Sequence, residues 1–108
     1  MSKYYAKKLK TDDGVFDSKR EWQRWCELKL LLRAREISDL TRQVSFELIP
    51  VQKYDGGTER AVKYIADFVY YDKYGKLVVE DAKGVKTKDY IIKRKLMLQK
   101  FGIHIVEV

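Results

Sequence analysis

The stretch Leu77-Val-Val-Glu-Asp-Ala-Lys-Gly84 (LVVEDAKG) decides how this chain is read. Leu77, Val78 and Val79 have the branched, apolar character of a core strand, yet they run straight into Glu80, Asp81 and Lys83. Charged side chains are almost never buried unless they are paired or hold a metal. A strand ending in two acids and a lysine therefore marks either an ion-pair network or a site of chemistry.

Working outward, the preceding turn sets the register. Asp72-Lys73-Tyr74-Gly75 carries Asp at the first and Gly at the fourth position, the preferences of a type I turn. A three-residue loop, Lys73 to Gly75, pairs Asp72 with Lys76 and sets Asp67 of YIADFVYY (64–71) opposite Asp81. A two-residue loop would instead set Asp67 opposite Glu80. Opposed residues of an antiparallel pair share a face, with Cβ atoms about 4.5–5.5 Å apart. Lys83 falls on the face of Asp81 and Glu80 on the other.

Two carboxylates that close repel each other unless a cation joins them. Mg²⁺ prefers oxygen ligands and is often held by one or two carboxylates, with water and phosphate completing its shell. Such an ion polarises a phosphoryl oxygen and acidifies bound water, and Lys83 would position that water or neutralise developing charge. The strand end thus reads as a phosphodiester-cleaving site. The competing reading is an Asp67–Lys83 ion pair with Asp81 solvated, and spacing alone leaves both open.

The remaining segments supply the frame. Ser18 and Glu21 form a capping-box pattern, and Glu21, Trp25, Leu28 and Leu32 share one face, so residues 18–36 read as an amphipathic helix. Residues 41–54 alternate as a half-buried strand at Val44, Phe46 and Leu48, with Pro50 at an edge or end. DGG at 55–57 is a turn, and residues 60–72 suit a central strand. Thr87 caps a second helix with Tyr90, Ile91, Met97, Leu98 and Phe101 to one side, Gly102 ends it, and residues 103–108 form a fourth strand. The expected fold is α/β, in the order α-β-β-β-α-β: a mixed four-stranded sheet flanked by helices, with a right-handed crossover to a parallel last strand.

With 108 residues and 45% hydrophobic content, the chain reads as one globular domain, residues 1–108, with a basic N-terminal arm at about 1–15. The net charge of +7 favours a polyanionic partner, most simply nucleic acid. No apolar run reaches the ~18 residues of a membrane span, and MSKYYAKKLK has no apolar segment behind it, so neither a membrane partner nor a signal peptide is expected. A lone cysteine, Cys26, suits a cytoplasmic protein. Trp22, Trp25 and Cys26 read as core, and His104 as a strand residue. No zinc pattern, P-loop or serine triad is present.

Taken together, IADF followed by EDAKG resembles the PD-(D/E)XK nuclease superfamily, whose core has the same element order. FDSKRE at 16–21 resembles the helix start of phage Holliday junction resolvases of the endonuclease I kind. Nearly the full chain, 4–108, is similar to a small phage and prophage family with no assigned function. The resemblance implies that Asp67, Asp81 and the Ala82 carbonyl bind Mg²⁺ or Mn²⁺, that Lys83 is the catalytic lysine, and that Glu21 is a further acid near the metal. It implies DNA hydrolysis, on branched DNA by analogy with the resolvases, in the cytoplasm of a bacterial host. Two departures are visible: alanine precedes the first acid instead of proline, and the second acid is Asp where Glu is commoner. Glu80 stays open as an alternative second acid, and Glu21 also reads as a helix cap.

Lys86, Lys88, Lys93, Arg94, Lys95 and Lys100 follow the site and are expected to neutralise DNA phosphates, or else to form a solvated helix face. Tyr4, Tyr5, Lys7, Lys8 and Lys10 read as an arm along DNA or a frayed terminus. Cutting both strands symmetrically requires two sites, so a homodimer is a further expectation. The rival class is a nucleic-acid-binding protein that keeps the fold without catalysis; an RNA-directed member of the same fold is a third.

Overall fold

Two side-chain caps start the helices. Ser18 Oγ accepts from Glu21 N at 3.1 Å and opens α1 (Lys19–Arg33); Thr87 Oγ1 accepts from Tyr90 N at 3.1 Å and opens α2 (Lys88–Phe101). The structure, a computed structural model, describes residues 8–82 and 85–108. Lys83 and the tyrosines and lysines of residues 1–7 therefore lie outside the described residues.

Helix α1 stops short of the expected Glu36. Arg35 adopts φ 62, its N–H donates to Leu32 O at 3.0 Å, and Glu36 N donates to Leu31 O at 2.9 Å. That is a Schellman closure built on arginine instead of the usual glycine, so composition does not announce it. Gly102 does announce the end of α2: it sits at φ 67 and donates to Leu98 O at 2.9 Å.

Upstream of α1, residues 9–16 form a small hairpin, β1 (Leu9–Thr11) with β2 (Gly14–Phe16), within the stretch expected as a basic arm. The main sheet contains β3 (Ile37–Ile49), β6 (Val62–Asp72), β7 (Leu77–Asp81) and β8 (Val106–Glu107) in that order, with β4 (Gln52–Tyr54) and β5 (Gly57–Glu59) forming a hairpin between β3 and β6. β3, β6 and β7 are antiparallel neighbours, while β7 and β8, joined through α2, are parallel. This is the expected mixed α/β sheet, with Pro50 just beyond the end of edge strand β3.

The β6–β7 turn follows the three-residue loop. Gly75 has φ 81, Gly75 N donates to Asp72 O at 3.0 Å, and Asp72 N donates to Lys76 O at 2.9 Å. Phe68 pairs with Glu80 and Tyr70 with Val78, the register whose next step sets Asp67 opposite Asp81.

Two cores form. Leu48, Tyr64, Ala66 and Val79 pack with Tyr90 and Met97 of α2; Phe68, Tyr70 and Ile37 pack with Leu28 of α1 and the flank of Trp25. Each fully buried large apolar side chain, such as Phe68 or Leu28, contributes on the order of 2 kcal/mol. Within a regular strand Tyr64, Ala66, Phe68 and Tyr70 would share one face. Here the first two join the α2 core and the last two the α1 core, so the alternation of β6 slips at Asp67. Leu32, Leu98 and Phe101, expected on the packed helix faces, are exposed.

Candidate active site

The slip in β6 has a counterpart across the pair. On the register joining Arg42 to Phe68 and Val44 to Ala66, Gln43 faces Asp67, and Gln43 has φ 53 in the middle of β3. The Gln43 amide donates to Glu21 Oε1 at 3.0 Å and, more weakly, to Asp67 Oδ1 at 3.4 Å. Asp67 Oδ2 accepts from Ala82 N at 2.8 Å. Asp67 thus links an acid of α1 to the backbone just beyond β7.

Glu21 caps its helix and also reaches β3. Its Oε2 accepts from Asp17 N at 2.7 Å, capping the helix start, while Oε1 meets Gln43. Only 2% of the residue is exposed. Burial, opposed by the Asp17 N–H and reinforced by the charge of Asp67, pushes its carboxyl up to about 7.

Asp81 and Glu80 are both buried, at 1% and 0% exposure, and they serve opposite sides of the sheet. Asp81 Oδ2 accepts from Tyr64 OH at 2.6 Å, within the α2 core. Burial and then that bond push the Tyr64 hydroxyl well above the usual phenol range, so it stays a donor. Glu80 faces α1, where Arg24 Nε and Nη2 grip its two oxygens at 2.8 and 2.7 Å and Tyr70 OH donates to Oε2. Register sets Asp67 and Asp81 side by side; Asp67 contacts Gln43 and Ala82 N, and Asp81 contacts Tyr64.

Among the described residues, no group of three or more His, Cys, Asp or Glu side chains is arranged to hold a metal ion. Glu21 and Asp67, however, direct two carboxylates at one neutral amide. A pair of carboxylates with no cation beside it among the described contacts fits a hard divalent cation, which needs only one or two carboxylates besides water. Ala82 contributes its N–H to Asp67; Lys83 lies outside the described residues.

The basic set divides. Lys86 and Arg94 pair with Glu107 at 3.1 and 3.0 Å, and Lys100 Nζ donates to Glu47 O at 2.8 Å. Lys88 and Lys95 are exposed and Lys93 is half-buried. Glu107 also accepts from Tyr90 OH at 2.6 Å; that bond, then Lys86 and Arg94, holds its carboxyl down at about 2. Half of the residues expected to contact phosphate thus tie α2 and the segment just before it to the sheet.

Sequence reasoning missed Gln43, Tyr64 and Arg24. A Gln in an alternating strand looks like any outward residue, and Tyr64 looks like core. Arg24 did leave a signal: a Glu on the buried face opposite Asp81 demands a cation from the helix that covers it.

The chain belongs to the family described as "protein of unknown function (DUF1064)", whose model matches residues 1–105. No curated protein and no solved structure matches it. No helix among the described residues is long and apolar enough to cross a membrane.

Proposed function

We propose that this chain is a divalent-metal-dependent DNA endonuclease of the PD-(D/E)XK type. The observation that carries the reading is the meeting of Glu21 from α1 and Asp67 from β6 on one amide, beside the acid-bearing end of β7. A bound Mg²⁺ or Mn²⁺ supplies Lewis-acid polarisation of the phosphodiester and a more acidic water. Glu21 and Asp67 would hold it, with the Ala82 N–H fixing Asp67 and Tyr64 fixing the Asp81 carboxylate at the same strand end. Lys83 neutralises charge that develops on the phosphate. The net charge of +7 draws the polyanion in. Branched DNA as substrate is argued from the resolvase-like helix start, phage recombination or replication in a bacterial cytoplasm from the likeness to phage proteins, and a homodimer from the need for two sites to cut two strands.

A second reading is favoured by the Tyr64–Asp81 bond and by the lack of a three-acid cluster among the described residues: a nucleic-acid-binding protein that keeps this fold without cutting. Incubating labelled four-way junction, linear duplex, single-stranded DNA and RNA with Mg²⁺, Mn²⁺ or EDTA separates the two. The endonuclease cuts DNA only with metal, and the junction best. The binding protein cuts nothing, and its salt-sensitive binding ignores Mg²⁺ and survives Asp67→Ala and Asp81→Ala.

A further inference from the structure

Gln43 is the one residue that touches both members of the Glu21–Asp67 pair among the described contacts. Its backbone is held at φ 53 in the middle of a 13-residue strand, a region that side chains rarely adopt and that glycine enters freely. Between the Arg42–Phe68 and Val44–Ala66 pairs it lies across from Asp67, where the side-chain alternation of β6 slips. The unusual backbone and the bridging amide therefore occur at one point. Gln43 is itself exposed, while the Glu21 it contacts is buried.

The chemistry of the bridge is selective. A primary amide has two N–H donors, one for each carboxylate. It orients both acids without cancelling their charge. A lysine there would neutralise the pair and compete with an incoming cation; a leucine would leave the acids unrestrained.

We propose that Gln43 is the positioning residue of this site, presetting Glu21 and Asp67 so that both face one divalent cation; this role rests on the metal-site reading above. Metal-ligand supports of this kind are worth about 10- to 100-fold in metal affinity.

The test uses full-length wild type, Gln43→Gly and Gln43→Lys. Gly removes the amide while accepting the left-handed backbone, and Lys keeps the reach but adds a charge. Two readouts are needed: the rise in melting temperature on adding Mn²⁺, and the Mn²⁺ concentration for half-maximal cleavage of a labelled duplex. Gln43→Gly is expected to melt cooperatively without metal, yet to need about 10- to 100-fold more Mn²⁺ on both readouts. Gln43→Lys is expected to gain metal-free stability and lose the Mn²⁺-induced shift. Wild-type Mn²⁺ dependence in either variant overturns the positioning role and leaves the nuclease reading standing. A wild type with neither a Mn²⁺-induced shift nor cleavage overturns the nuclease reading, and this role with it.

Discussion

Glu21 and Asp67 accept from the same amide nitrogen, Gln43 Nε2, at 3.0 and 3.4 Å, although one is carried by α1 and the other by β6. The arrangement gives the metal-free protein a distinctive pH response. Glu21 is raised from 4.5 to about 7, so between those values the folded chain holds a proton that the unfolded chain has lost. Stability therefore falls as pH rises from about 4.5 to about 7, by on the order of 2 kcal/mol. Melting curves in EDTA from pH 4.5 to 8 are expected to show this decline, and Glu21→Gln is expected to flatten it.

Arg24 and Glu80 form a buried, bidentate pair that fastens α1 to β7. Removing one partner strands a buried charge and costs about 3–5 kcal/mol. Arg24→Met is thus expected to lower stability by that amount, while Arg24→Met with Glu80→Gln recovers much of it. Denaturant unfolding of the two single variants and the double variant measures the coupling. Metal affinity is expected to stay unchanged in the double variant, since Glu80 serves the packing of α1.

Tyr64→Phe deletes the hydroxyl that donates to the buried Asp81 carboxylate. Loss of a hydrogen bond to a charged group costs about 1.5–3 kcal/mol. The expected result is a lower unfolding midpoint, with slower cleavage at unchanged DNA affinity because Asp81 loses its orientation.

The acid limb belongs to Glu107. Tyr90, Lys86 and Arg94 hold its carboxyl at about 2, below the ordinary 4.5, so its contribution is complete above 4.5 and fades as pH falls toward 2. Glu107→Gln is expected to unfold less steeply with acid across that window than wild type, as followed by circular dichroism.

Much of this architecture was legible in the chain, for identifiable reasons. Ser18, Thr87 and Gly102 are local capping signals that need no tertiary partner, and Asp72 to Gly75 specified the loop and hence the β6–β7 register. What was hidden depends on backbone conformations that composition does not mark: Arg35 closing a helix in the left-handed region, and Gln43 adopting it inside a strand. The second of these matters for the site. Period-two reasoning set Asp67 opposite Asp81 and gave no sign of the slip at Asp67, where its carboxylate meets the same Gln43 amide as Glu21. The place of Glu21 at the helix start was legible in the capping pattern, whereas its role beside a metal came only from the resemblance.

The most direct test of the central claim compares DNA cutting and DNA binding by wild type and Asp67→Asn, in Mg²⁺, Mn²⁺ and EDTA, on a labelled four-way junction. The account predicts that wild type cuts only with metal, and that Asp67→Asn binds the junction as tightly but leaves it intact. Equal cutting by Asp67→Asn, or tight wild-type binding with no cutting in either metal, would contradict it.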